Sequence, residues 1–181
     1  MPLLPVTLLV AVVGFGASAL LGWRGVWPVR PDFTWYGLSG LVLLGTSLAL
    51  PPVAIDLYLR FPREMNLPLP EALFFYPAIA FVAEVLFHLI PLAALALLLP
   101  RGIPVGWRLM PVVLIEPLFQ AAFSSGAPLQ SVLVFANVTL TSAAQLCLFL
   151  RYGFAAMIGL RLIFYLAWHI VWGSLRLKLL F

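Results

Sequence analysis

Six apolar runs, each of membrane-spanning length, take up almost the whole chain, near residues 3 to 22, 35 to 58, 71 to 99, 107 to 124, 127 to 150 and 154 to 176. A bilayer core about 30 Å thick needs roughly 20 apolar residues in a helix to cross it. The breaks between the runs are dense in Arg, Pro and Gly: RGVWPVRPD, RFPREMNLPLP, PRGIPVG, SSGAP and the Arg151-Tyr152-Gly153 turn. Such residues end membrane helices rather than continue them. No run alternates polar and apolar residues as a barrel strand would. The expected fold is therefore all-α, a single polytopic membrane helix bundle over 1–181 with about six transmembrane helices.

Composition supports this class. With 64% hydrophobic and 9% charged residues, 181 residues offer too little polar surface to cover a water-soluble globule. The net charge of +4 arises mainly from basic residues flanking the runs, at Arg24, Arg30, Arg60, Arg63, Arg101, Arg108, Arg151, Arg176 and Lys178. That placement reads as anchoring to lipid head groups in the bilayer, and no nucleic-acid partner is expected. The lone Cys147 excludes an intramolecular disulfide. The first run lacks a basic leader and is long enough to span, so it reads as a retained helix. Pro51 and Pro52 inside the second run are expected to break or kink it.

Four of the runs carry polar residues spaced four apart, which stacks them on one helical face. Glu84 and His88 lie on the third run, and Glu116 and Gln120 on the fourth. Asn137, Thr141 and Gln145 follow on the fifth, and Arg161, Tyr165 and His169 on the sixth. Ionisable groups at such depth cost a few kcal/mol each, so they face a bundle interior or a watered cavity. A shared polar site between the last four helices is the expectation.

Each group has a chemical and a structural reading. Glu84 beside His88 could pair a general base with a proton shuttle. With Glu116 and His169, the pair could instead hold a divalent metal such as zinc. It could equally be a buried pair that locks helix packing. Arg161 demands a carboxylate partner, for which Glu84 and Glu116 are the deep candidates, and Tyr165 can donate a hydrogen bond. Gln120 could orient Glu116. Asn137, Thr141 and Gln145 read mainly as interhelical hydrogen-bonding groups. Ser124 and Ser125 lack the surroundings of a serine nucleophile, and phosphate-loop, GxSxG and HExxH patterns are absent.

Residues 71 to 175 resemble the CPBP family, the CAAX-protease and bacteriocin-processing group also labelled Abi. Its members carry E-E-x-x-F-R, F-x-x-x-H and H-x-x-x-N/D on successive membrane helices. Here Ala83-Glu84-Val85-Leu86-Phe87-His88 keeps the second glutamate and the phenylalanine and puts His where Arg is usual. Val112 to Glu116 stands at the second motif with Glu at the histidine position. RYGFAAMIGLRLIFYLAWHIVWG looks like the last motif helix. Aligned without a gap, Arg161 and Tyr165 take the His and Asn/Asp positions; shifted by two turns, His169 and Gly173 do.

The resemblance implies an intramembrane peptidase, a hydrolase in which Glu84 activates water against a membrane-embedded or prenylated peptide. His88 and His169 would stabilise the oxyanion or hold a metal, and Glu116 would orient them. The runner-up reading is a pseudo-protease, an inactive scaffold that binds a partner helix. A prokaryotic-type plasma membrane is the expected location. Buried Glu, His and Arg are also parts of proton relays, which leaves a small proton-coupled carrier as a third reading.

Overall fold

Lipid offers a backbone no hydrogen-bond partners, so each apolar run must satisfy its own amides and carbonyls as a helix. A computed structural model describes residues 3–27, 35–123 and 127–181. Among the described residues it has six long helices and no strand. They are α1 (Leu3–Trp23), α2 (Trp35–Tyr58), α3 (Glu71–Leu98), α4 (Val105–Ala122), α5 (Pro128–Tyr152) and α6 (Phe154–Leu179). Five of them are long and apolar enough to cross a membrane, which fits an integral membrane protein. The exception is α4, with 18 residues that include Arg108, Glu116, Gln120, Pro111 and Pro117. Its apolarity is diluted by the groups it brings inward. Arg30, Ser124 and Ser125 lie outside the described residues.

Helix α6 is the hub, packing on α2, α3 and α5, while α3 is enclosed by α1, α4 and α6. The main apolar core joins Leu21 of α1, Leu89 and Leu92 of α3, Val112 of α4, Leu146 and Phe149 of α5 and Met157 of α6. A second core sets Phe61 of the α2–α3 connection edge-on to Trp168, with ring centroids 5.5 Å apart. Helices α5 and α6 are joined through Gly153 alone, whose φ of 84° suits a residue without Cβ. The α2 and α6 backbones approach closely at Gly45, where a Cβ would stand 2.7 Å from Ile163 Cγ2.

Of the expected break or kink at Pro51 and Pro52, the break does not occur: α2 continues through both. Pro52 has no amide to give the carbonyl of Leu48, four residues earlier. Asn137 of α5 supplies the missing donor, its Nδ2 lying 3.2 Å from that oxygen.

Both histidines of the chain lie where helices depart from α geometry. Residues Val85–Leu89 of α3 and Leu166–Trp172 of α6 form π turns around His88 and His169. Each widened turn displaces the residues after it relative to those before. In α6 the Gly173 amide bonds to Trp168 and Ile170 rather than to His169. The His169 carbonyl instead accepts from Asn66 Nδ2 at 3.2 Å.

Three flanking basic residues do not reach for head groups. Arg24 donates to the carbonyls of Ala96, Leu97 and Leu99 and so caps the end of α3, while Arg108 serves the carbonyls of Pro100 and Arg101 in the connection after it. Arg176 is fully buried, for reasons given below.

Candidate functional site

The expected convergence of the polar faces is observed, with Arg161 at its centre. All five guanidinium N–H groups find acceptors. Nη1 and Nη2 grip Glu116 of α4 end-on, at 2.7 Å to Oε1 and 2.5 Å to Oε2. Nε donates to Glu84 Oε1 of α3 at 2.7 Å. The two remaining protons point to Gln145 Oε1 at 3.2 Å and Tyr165 Oη at 3.4 Å. Glu84, Glu116 and Arg161 are all buried. A charge so enclosed is tolerable only with this completeness of pairing.

The carboxylates are also held from their other sides. Gln145 Nε2 donates to Glu84 Oε1, and Gln120 Nε2 to Glu116 Oε1 at 3.2 Å. Glu84 Oε2 lies 2.9 Å from His88 Nδ1, an ion-pair distance off the line of a directed hydrogen bond. His88 Nε2 has no hydrogen-bond partner among the described residues. Gln145 thus belongs to the site and is not merely interhelical glue. Its sequence signal is its place on the Asn137–Thr141 face, which continues two turns to the depth of Glu84.

His169 stands apart from this cluster. It stacks on Tyr76 with ring centroids 4.4 Å apart and meets Tyr165 edge-on at 4.8 Å. Among the described residues no three of His, Cys, Asp and Glu assemble as a metal-ligand group. The expected set of Glu84, His88, Glu116 and His169 is therefore not formed. The guanidinium sits between the two carboxylates, where a bound cation would have to lie, and the π turn carries His169 away.

A cavity of about 220 Å³ adjoins the cluster, bounded by α2, α4, α5 and α6. Glu116, Gln120, Asn137, Arg161, Tyr165 and His169 give it one polar side. Pro52, Ile55, Val138, Phe164 and Trp168 supply apolar walls. Glu84 and His88 do not line it. Of the expected catalytic residues, Glu116 and His169 touch this space, and Glu84 lies behind Arg161.

A second buried cluster, not anticipated from the sequence, closes the same end of the bundle. Arg176 also uses all five donors: Asp56 accepts side-on at 2.6 and 2.9 Å, Asn66 Oδ1 at 3.0 Å, Phe61 O at 2.6 Å and Pro62 O at 3.3 Å. Trp172 Nε1 and the Phe61 amide complete the shell of Asp56, at 2.8 and 2.9 Å. Tyr76 holds the connection from α3 by accepting from the Leu67 amide and donating to the Met65 carbonyl. The available signal was Asp56 itself, a carboxylate inside an apolar run. No family model, no curated protein and no solved structure matches this chain.

Proposed function

We propose that this chain is a catalytically silent membrane protein of the CPBP type, in a prokaryotic-type plasma membrane. Its charged cluster locks four helices together, and its cavity receives a membrane-borne ligand. The observation that carries this reading is the state of the two carboxylates. Both oxygens of Glu116 and one of Glu84 accept from Arg161, and Glu84 lies off the cavity wall. A general base must reach the water it activates with an oxygen that is not already committed to another partner. The ungapped alignment to the family's last motif is the one that puts Arg161 and Tyr165 beside the motif glutamate. The positions where the family keeps catalytic histidines then hold the halves of an ion pair.

The decisive experiment compares the native protein with Glu84→Gln, purified in detergent, against prenylated and transmembrane peptides. The expected result is no cleavage by either and a lower melting temperature for the variant. Cleavage by the native chain that Glu84→Gln abolishes would overturn the proposal in favour of an intramembrane peptidase.

A further inference from the structure

The cavity beside Arg161 adjoins a larger one of about 650 Å³, separated from it only by the shared walls of Phe61, Met65, Gln120 and Val134. Together they fall in the range of small-molecule sites, roughly 300 to 1,000 Å³. The inner chamber is too small for a helix about 10 Å across. An occupant must be slender, with a compact head inside and a chain trailing outward.

The chemistry of the inner chamber selects the head. Its two formal charges, Glu116 and Arg161, already saturate one another, so a charged ligand would have to break a buried ion pair. What the chamber has to spare is hydrogen bonding. Tyr165 Oη receives a 3.4 Å contact from Arg161, and its own proton has no acceptor among the described residues. The His169 ring also lines the chamber, fixed between Tyr76 and Tyr165; its Nδ1 is enclosed and unpartnered among the described residues, which leaves Nε2 as the nitrogen a ligand can reach. A hydroxyl and an imidazole, both held in place, suit a carbonyl oxygen as acceptor. Beside them on the same helix, Phe164 and Trp168 add flat aromatic rings to the wall, which favour a planar head. Beyond Phe61 and Val134 the outer chamber is mostly apolar, as a hydrocarbon chain requires.

We propose that this double chamber binds a neutral lipid with a planar, carbonyl-bearing head on a hydrocarbon chain, the chemistry of an isoprenoid quinone. The head lies against Tyr165 and His169, and the chain leaves past Phe61 and Val134. This identification rests on the cavity being a ligand site, as proposed above.

The test titrates decylubiquinone into the full-length detergent-solubilised protein and follows melting temperature and binding isotherms. Dodecylamine and lauric acid serve as charged amphiphiles of similar length. Val138→Trp fills the inner chamber, and Tyr165→Phe removes a single hydroxyl. The expected result is saturable binding of decylubiquinone, weakened about tenfold by Tyr165→Phe, lost in Val138→Trp, and stronger than that of either charged amphiphile. Losing one hydrogen bond of typical strength corresponds to that fold-change. If Val138→Trp abolishes binding of a charged amphiphile while the quinone is silent, the ligand class is wrong and the cavity remains a site. If no amphiphile binds, or Val138→Trp leaves quinone binding intact, the site itself is wrong.

Discussion

Arg161 and Arg176 stand 15 positions apart on one helix, both buried and both with every donor used, yet they solve different problems. Arg161 takes side chains from three other helices: Glu84 of α3, Glu116 of α4 and Gln145 of α5. It ties helix to helix at a depth where lipid tails are as apolar as the helices, so burial of apolar surface gives little drive to associate. Arg176 takes one carboxylate, one amide and two backbone carbonyls from the end of α2 and the connection after it. It makes a non-helical segment tolerable by satisfying carbonyls the segment cannot satisfy itself. The first arginine has two carboxylates to balance and lines a cavity; the second has one and lines neither of the two cavities described above. Equal burial and equal hydrogen-bond counts therefore do not mark a functional centre. The proposed ligand site rests instead on unused hydrogen-bonding capacity at a cavity wall.

The largest break in this comparison is Arg161→Met, which strands two buried carboxylates at once and is expected to cost about 3 to 5 kcal/mol. Adding Glu116→Gln should recover part of the loss in thermal unfolding, and adding Glu84→Gln more. Full recovery with Glu116→Gln alone would mean that Glu84 does not depend on Arg161. Arg176→Met should cost about 3 kcal/mol. Adding Asp56→Asn should recover only a fraction, because the carbonyls of Phe61 and Pro62 still lack their donor. Complete recovery would reduce the clasp to a simple ion pair. Gly173→Ala probes the same clasp more gently, since its Cβ would lie 2.5 Å from Asn66 Nδ2. Asn66 is fixed between Arg176 and the His169 carbonyl, so a loss of about 1 to 3 kcal/mol is expected. An unchanged melting temperature would show that Asn66 can move aside.

The difference between the two clusters also decides what could be read from the chain. Runs of 20 or more apolar residues state the helices directly. A polar residue every fourth position states which face turns inward, and so Glu84, Glu116, Gln120, Arg161 and Tyr165 could be grouped before any geometry was known. Arg176 gave no such signal. Standing at the end of a run beside Lys178, it has the pattern of a residue anchored at the membrane surface. Of its partners, Phe61, Pro62 and Asn66 belong to a connection with no periodicity, and Asp56 stands alone near the end of the α2 run. The π turns were hidden for a related reason, because a single extra residue in a turn leaves an apolar pattern looking continuous. Four-residue spacing placed His169 in line with Arg161 and Tyr165, and it does line their cavity and touch Tyr165; its stacking on Tyr76, within the widened turn, had no sequence signal.

The smallest expected effect separates an interhelical bond from a functional one at Asn137. Its Nδ2 serves a carbonyl that lacks a partner because Pro52 has no amide. Asn137→Leu should cost about 1 kcal/mol, the net worth of one hydrogen bond. Pro52→Ala restores an amide four residues after Leu48, so in that background the same substitution should cost almost nothing. The double-mutant cycle then yields a coupling near the full value of the single bond. If Asn137→Leu costs the same in both backgrounds, the Leu48 carbonyl is not what Asn137 is there to serve. Its place on the cavity wall would then make it a ligand contact, and the line between the locking residues and the binding residues would move by one helix turn.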